Sequence, residues 1–398
     1  MITPAYSPTA TERVLPRMAL DFTTGVLDSR VTITRALNTA TRVNSSGFVE
    51  IVNANLPRFD YDPATLAPKG LLIEEQRTNL VTYSQQFDDA SWNKGVSGSI
   101  SANTVVSPDG TTNADAYTWA TSTTDFAFLS QTATATSNIA NTFSVWLKRP
   151  SGSGNRTVRL TVSDVTTSTG VSATFTVTEN WQRFEFTRTS ATSTGSVGVG
   201  LNTGLSGTSI AAGDILHVWG AQLEAGAFAT SYIPTTTTSV TRNADVVSMT
   251  GTNFSDWYSN TRGAFWAAFD VLQSTAPAYI YSAYSGATGF SDSFIQYVFA
   301  NTVDSFVYSG GVSQARLLAG TISANTSAKS ARSYASANFA IATNGGDLST
   351  QLSGSLPVGV DRLQIGASPN IGDFLNGHIA KFFWYTNLTN AELVAFTK

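Results

Sequence analysis

The chain has only two histidines, His217 and His378, so any Ser-His-Asp triad or histidine-based metal site must use one of them. Each lies within a predicted β-strand, and neither is accompanied by a G-x-S-x-G or H-x-x-x-H spacing. The absence of cysteine excludes thiol nucleophiles, thiolate metal sites and disulfides. We therefore interpret both histidines as packed or rim residues of strands.

Carboxyl groups are the other candidates for catalysis, because two of them with different protonation states can hydrolyse a glycosidic bond. The sequence has no E-x-D-x-E spacing on one strand, and the adjacent Glu74 and Glu75 would point to opposite faces of an extended chain. Asp292, Asp304 and Asp347 are scattered without a recognisable calcium-binding loop. The sequence therefore predicts a protein that is not an enzyme, and it does not support a structural calcium ion or any other cofactor.

Sugar binding requires less, namely a flat aromatic ring against the apolar face of a pyranose and a few planar polar groups for its hydroxyls. The alternation of residues 143–148 turns Phe143 and Leu147 towards a core and Trp146 to the opposite face. The first set of glycan-binding candidates on this predicted outward face is Trp146, Lys148, Arg159, Arg183 and Glu185. The alternative is that Trp146 packs under a loop or against another subunit.

The composition indicates which elements position these side chains. Charged residues make up 13% of the chain, about half of the roughly 25% usual in soluble domains. Abundant Thr, Val, Phe and Tyr favour strands over helices. The net charge of −4 provides no basic surface for nucleic acid, and no segment approaches the ~18 apolar residues of a membrane span. We expect an all-β protein that neither binds nucleic acid nor inserts into a membrane.

At 398 residues the chain is long enough for several modules. Residues 1–79 predict an extended leader of short strands that lack a core of their own, and we expect the remaining modules to fold without it. Residues 80–234 and 251–398 predict two β-sandwich (jelly-roll) modules, joined by a linker over residues 235–250. No repeat of ~20–50 residues is present, so a parallel β-helix is not supported.

Three stretches of the leader resemble, in their order and spacing, the leader of phage head spike and fibre proteins. They are residues 39–44, 57–63 and 70–79, of which the last reads GLLIEEQRTN. Residues 219–224 and 232–234 look like the end of the carbohydrate-binding-type sandwich that follows this leader in the same family. Residues 376–385 and 388–393 resemble a concanavalin A-like or laminin G-like jelly roll, a fold that does not by itself fix function.

Lectin sites in such jelly rolls gather on loops at one edge or on the concave face. This suggests a second set of glycan-binding candidates, namely Tyr281, Tyr297, Tyr308, Asn344 and Asp347. The alternative for each tyrosine is a half-buried packing role.

The resemblance implies a structural protein on the virion surface, made in the host cytoplasm. It would be a head spike or fibre that recognises host cell-surface polysaccharide and contacts other virion proteins through its leader. Because fibres and spikes commonly have threefold symmetry, we expect a homotrimer. Two alternatives remain, a capsid or tail structural or decoration protein that makes only protein contacts, and a polysaccharide-degrading tailspike enzyme.

Overall fold

The computed structural model describes residues 14–95, 98–119, 128–134, 138–164, 170–189, 194–200, 212–273 and 275–398. Within these ranges the chain forms four sheets of eight, seven, five and four strands, two two-stranded sheets and only short helices. The prediction of an all-β protein built from β-sandwiches is confirmed. None of the described helices is long and apolar enough to cross a membrane.

The strands fall into three groups along the chain. The first group is β1 (Met18–Asp21), β2 (Thr32–Thr34), β3 (Ala40–Val43), β4 (Val49–Val52), β5 (Phe59–Tyr61), β6 (Pro68–Ile73) and β7 (Arg77–Asn79). The second is β8 (Ser99–Val105), β9 (Ala114–Thr118), β10 (Phe128–Thr134), β11 (Ala140–Lys148), β12 (Arg156–Asp164), β13 (Gly170–Val177), β14 (Gln182–Thr189), β15 (Thr194–Gly200) and β16 (Ile215–Ala225).

The third group contains most of the C-terminal sandwich. It is β17 (Val240–Arg242), β18 (Val246–Thr250), β19 (Arg262–Phe269), β20 (Ala278–Ser285), β21 (Gly289–Phe299), β22 (Thr302–Ser309), β23 (Val312–Thr321), β24 (Ala328–Ala335), β25 (Asn338–Thr343), β26 (Ser349–Gln351), β27 (Arg362–Ile365) and β28 (Gly377–Tyr385). A 3-10 turn lies at Phe22–Thr24, and two helices are α1 (Thr252–Ser255) and α2 (Asn390–Phe396).

The middle module is a sandwich of two sheets, in the strand orders β14-β11-β16-β9-β8 and β10-β15-β12-β13. Its core forms because alternate residues of each strand turn inward, as the sequence predicts. Phe143 and Leu147 from one sheet and Val158 and Leu160 from the other are completely buried in the same cluster.

The leader is not a separate segment, because its strands complete the C-terminal sandwich. Both β1 and β6 pair with β28 in the eight-stranded sheet, β5 pairs with β6, and β2 joins the seven-stranded sheet beside β18. Leu20, Phe22, Leu71 and Ile73 are no more than 1% exposed in the same core as the C-terminal strands. Short strands that lack a core of their own thus obtain one, together with their hydrogen-bond partners, from a distant part of the chain.

Residues 235–250 do not form the linker that we expected, because β17 and β18 lie within this range and both are paired with other strands. β17 pairs with β7, which places Val240 opposite Asn79. β18 pairs with β27, and Val247 and Met249 are completely buried. Residues 80–239 are therefore an insertion between two neighbouring strands of one larger unit. The sequence predicts three consecutive modules, whereas in the structure the first and the last segments of the chain form one sandwich and the middle module is inserted into it.

Five charged side chains meet in a buried junction where the leader, the inserted module and the C-terminal sandwich come together. They are Arg35, Arg58, Glu74, Arg242 and Asp245, and each side chain is at most 3% exposed. Arg58 donates to Glu74 at 2.7 Å and also pairs with Asp245, while Arg35 reaches Asp245 at 2.8 Å. The junction joins three residues of the leader to Arg242 and Asp245, which follow the insertion.

The inserted module reaches this junction through Ser231, whose Oγ donates to Glu74 at 2.6 Å. Burial alone would raise the pKa of the Glu74 carboxyl, but Arg242, Arg58 and the hydrogen bonds from Ser231 hold it far below its usual range. The carboxylate is therefore charged at neutral pH although it is only 1% exposed.

Other residues of the GLLIEEQRTN stretch also contact the C-terminal sandwich and the inserted module. Gly70 has φ +110, and a Cβ atom there would collide with the backbone of Ile379, so the approach of β6 to β28 requires glycine. The side chain of Asn79 is completely buried, accepts a hydrogen bond from the backbone of Leu223 at 3.1 Å and donates to Ile233 at 2.8 Å. The stretch therefore positions three parts of the chain relative to one another.

His378 forms a second buried link between the leader and the C-terminal sandwich. Its Nδ1 lies 2.9 Å from Asp270, its Nε2 lies 3.0 Å from Asp60 of β5, and the residue is 2% exposed. Burial alone would lower the pKa of His378, as would nearby Lys69, but the hydrogen bonds to Asp270 and Asp60 outweigh both and raise it above its ordinary value. The imidazolium is stabilised between two carboxylates.

We predict that this link makes the protein less stable as the pH rises. A raised pKa contributes stability that is fully present below about pH 6.5 and is lost as the pH rises through the pKa of the folded state. The free energy of unfolding of the wild type should therefore fall as the pH rises above about 6.5, with a slope of up to ~1.4 kcal/mol per pH unit, and the thermal midpoint should fall with it. His378→Gln should abolish this slope, whereas His217→Gln should retain it. Equal slopes in both variants would contradict the assignment.

Candidate functional site

The first set of candidates lies on the outer face of the five-stranded sheet. Trp146 is opposite Arg183 on β14 and opposite Trp219 on β16, while Lys148 is opposite His217. Glu185 follows two positions after Arg183 on the same strand, and it is exposed. The alternation therefore places Trp146, Lys148, Arg183 and Glu185 on one face, as the sequence predicts.

Arg159 is not part of that face. It lies on β12 in the four-stranded sheet, where it pairs with Thr174, and its neighbours Val158 and Leu160 point into the core. Arg159 thus lies on the outer face of the opposite sheet. Periodicity predicts whether a residue points inward or outward, but it does not predict which of two sheets a strand joins.

Trp146 is half-buried in a small cluster between the inserted module and the leader. Its ring lies edge-on to Trp219 at 5.2 Å and to Tyr232 at 5.5 Å, and the Arg183 guanidinium lies 4.4 Å above it. Val49 of the leader packs on the same cluster. These contacts favour the alternative that Trp146 packs under a neighbouring segment, and a role in glycan binding stays a prediction.

We expect Trp146→Ala to destabilise the protein by about 2 kcal/mol, because it removes a half-buried ring and its contact with Arg183. A fully buried Trp would cost ~3–5 kcal/mol. Urea unfolding measures the effect, and Glu185→Gln on the same face should stay within ~0.5 kcal/mol of the wild type. An unchanged free energy of unfolding for Trp146→Ala would show that the ring is not a packing residue.

The second set of candidates is divided between the two sheets and the core of the C-terminal sandwich. Tyr281 is 1% exposed and packs against Phe265 at 4.7 Å and Phe382 at 5.3 Å, so it is a core residue. Tyr279 should share its face by simple alternation, but a β-bulge between the two positions turns Tyr281 inward and leaves Tyr279 on the outer face.

Asn344 and Asp347 lie in the turn between β25 and β26, at the edge of the eight-stranded sheet. Asn344 has φ 50 and its Oδ1 accepts a hydrogen bond from the backbone of Lys329 at 2.8 Å, so its side chain holds this turn against β24. Tyr297 and Tyr308 belong to the seven-stranded sheet. The structure therefore does not bring all five residues into one site.

Tyr297 and Tyr308 do come together, and two aromatic residues that sequence reasoning missed complete the group. We call Tyr279, Tyr297, Phe306 and Tyr308 the aromatic row. Tyr297 and Phe306 have ring centroids 5.9 Å apart and planes inclined by 12°, and Phe306 and Tyr308 are 5.6 Å apart with planes inclined by 9°. Tyr279 lies 5.2 Å from Tyr297. Phe306 could have been found from the sequence, since it alternates with Tyr308.

Polar groups accompany the aromatic row. The Arg316 guanidinium lies 5.0 Å from the Phe306 ring centroid and donates to Asp304 at 2.8 Å, although its side chain is 58% exposed. The Tyr297 hydroxyl donates to the same carboxylate at 3.3 Å. Burial, and then Asp304, raise the pKa of Tyr297 to about 12, so the phenol stays protonated at neutral pH. The half-buried rings of Tyr297, Phe306 and Tyr308, beside such groups, can contact the apolar face and the hydroxyls of a sugar, whereas Tyr279 is only 8% exposed.

Sequence reasoning also missed Trp181, which is half-buried on the outer face of the five-stranded sheet. The Lys148 ammonium lies 5.0 Å from its ring centroid, and its Nε1 donates to the backbone of Val106 at 2.9 Å. Trp181 precedes Arg183 by two positions, so the same alternation predicts that both side chains lie on the same face of the sheet. The described part of the chain contains no cluster of three or more His, Asp or Glu side chains that could hold a metal ion.

No family model matches the chain, and no curated protein sequence matches it. Similar solved structures include the CBM40 of the Ruminococcus gnavus IT-sialidase bound to α2,3 sialyllactose, which is 20% identical, has a TM-score of 0.31 and covers 35% of this chain and 84% of that chain. The CBM22-1 xylan-binding domain of Paenibacillus barcinonensis Xyn10C is 16% identical, with a TM-score of 0.28 and coverages of 38% and 96%.

A third similar structure is the enzymatically active domain of tailspike protein 4 from bacteriophage CBA120. It is 8% identical, has a TM-score of 0.28 and covers 36% of this chain and 21% of that chain. Similarities with TM-scores this low show neither the ligand nor the activity of this chain. The all-β assignment rests on the sheets themselves.

Proposed function

We propose that this chain is a non-enzymatic virion protein that binds host surface polysaccharide through the aromatic row of its C-terminal sandwich. The observation that supports this most directly is the set of near-parallel rings of Tyr297, Phe306 and Tyr308 beside Arg316 and Asp304. The rings provide apolar surface, and the guanidinium and phenol groups provide directional hydrogen bonds. A pyranose, which has an apolar face and hydroxyls around its edge, can use both.

A head spike or fibre, on the surface of a phage or phage-like particle, is the most specific form of this proposal. Its support is the resemblance of residues 39–44, 57–63 and 70–79 to spike and fibre leaders. The leader also exposes several apolar side chains, which suit contact with another subunit or virion protein. They are at least 47% exposed, namely Val26, Leu37, Ile51, Leu56 and Leu66. A homotrimer is the expected assembly, and an image of labelled virions would locate the protein on the particle.

A glycan array with purified protein tests the binding proposal. Single sites of this type bind with dissociation constants of ~0.1–1 mM, so useful adsorption depends on several copies. Tyr308→Ala and Phe306→Ala should each weaken binding at least ~tenfold, or about 1.4 kcal/mol. Phe48→Ala removes an exposed ring of the leader that is not part of the aromatic row, and this variant should bind the glycan as the wild type does.

The other outcomes separate the alternatives. If the folded protein binds no host polysaccharide, it makes only protein contacts in the particle. Release of reducing sugar from the polysaccharide would show that it is an enzyme instead. Binding that survives both aromatic-row substitutions would place the sugar site elsewhere in the chain.

A further inference from the structure

Lys148 is a half-buried cation whose ammonium contacts a ring rather than a carboxylate. Its Nζ lies 5.0 Å from the Trp181 ring centroid, and within the described residues it forms no ion pair at 4.0 Å or less. Burial lowers the pKa of Lys148, because the ammonium has lost part of its hydration without gaining an anion. An anionic ligand would therefore gain more at this position than at a freely hydrated lysine.

The groups around Lys148 add to the positive charge. His217 is its partner on β16, and burial, Lys148 and Arg149 lower the pKa of His217 to about 4. Arg149 is already paired with Asp214 at 2.7 Å, and Asp214 also accepts from Arg156 at 2.7 Å.

Another carboxylate, that of Glu179 two positions before Trp181, accepts a hydrogen bond from the backbone of Gly154 at 3.0 Å. Asp214 is thus shared by two arginines, and among the described residues neither Asp214 nor Glu179 forms an ion pair with Lys148. The imidazole of His217 is neutral at neutral pH and can share a hydrogen bond with a ligand.

We propose that Lys148, Trp181 and His217 form a second sugar site, which takes a pyranose that carries a carboxylate. The ammonium pairs with the carboxylate, and the Trp181 ring, whose Nε1 is fixed by Val106, contacts the apolar face of the sugar. This site lies on the inserted module and uses none of the residues of the aromatic row. Its ligand class differs too, because Arg316 beside the aromatic row is already paired with Asp304.

Nuclear magnetic resonance of the full chain tests the site, with trigalacturonic acid as the probe and galactotriose as its neutral counterpart. The acidic sugar at pH 6 should shift the ring signals of His217 and the indole N–H signal of Trp181. The signals of His378, which is enclosed by Asp60 and Asp270, should not move. Equal shifts with the neutral sugar, or no shift at millimolar concentration, would overturn the proposal.

Two variants of Lys148 separate charge from packing. Lys148→Met should weaken binding of the acidic sugar at least tenfold, and Lys148→Arg should restore most of it, with unchanged thermal midpoints for both. If Lys148→Met binds as well as the wild type, the site is not as proposed. Tyr308→Ala should leave this binding intact, so that failure of this site and failure of the aromatic row can be distinguished.

Discussion

A chain that begins at residue 80 is expected to lose its C-terminal sandwich. Removal of the leader leaves one edge of β28 unpaired and takes Leu20, Phe22, Leu71 and Ile73 out of the core. Burial of four such side chains contributes about 6–12 kcal/mol, which is comparable with the ~5–15 kcal/mol of a whole domain. Circular dichroism and thermal unfolding should show loss of the cooperative transition of this sandwich.

The matched control removes the inserted module instead. Residues 80–239 are replaced by a short Gly-Ser turn that joins Asn79 to Val240, since these residues are opposite each other in the β7–β17 pair. Opposite Cα atoms in antiparallel strands are only ~4.5–5.5 Å apart, so the turn fits without strain. This shortened chain should unfold cooperatively. If the chain that begins at residue 80 instead unfolds like the wild type, the leader is dispensable for the fold.

Glu74→Gln is expected to cost about 3–5 kcal/mol of unfolding free energy, because it removes one of the two carboxylates that neutralise the three buried guanidinium groups of the junction. Arg58 and Arg242 both depend on Glu74, and neither side chain is accessible to water. The adjacent Glu75 is the natural control, since its side chain is 31% exposed and pairs with Arg77. Glu75→Gln should cost only ~0–1 kcal/mol. Urea unfolding at neutral pH measures both.

The same carboxylate predicts a dependence on pH. Because the pKa of Glu74 is depressed in the folded state, its contribution is fully present above the unfolded pKa of about 4.3 and is lost as the pH falls below it. The difference between wild type and Glu74→Gln should therefore shrink below about pH 4. A difference as small as that of Glu75→Gln at pH 7 would contradict the assigned role of the junction.

Local patterns predicted much of the fold, because strand alternation is a local property of the chain. The inward positions of Phe143, Leu147 and Val158 and the opposite sides of Glu74 and Glu75 all follow from a period of two. The insertion does not follow from any local pattern. The β7–β17 pair joins residues more than 150 positions apart, and only the folded chain brings them together.

The candidate site was predicted less completely, for two physical reasons. A bulge reverses the side of every residue beyond it, which moved Tyr281 from the surface to the core. Sheet membership depends on which strands meet in space, which separated Arg159 from Trp146. Tyr297 and Tyr308 were predicted, and Phe306 completes their row because a strand repeats its outward side every second residue.

The β7–β17 pair also determines how the molecule transmits tension. Entry to and exit from the inserted module lie side by side, at Asn79 and Val240. A pull between the leader and a sugar held on the aromatic row is carried within the seven-stranded sheet, because β2 of the leader pairs with β18 in the same sheet that holds the row. Residues 80–239 lie outside that path. The inserted module can therefore bind or release a ligand without being stretched by a pull along that path.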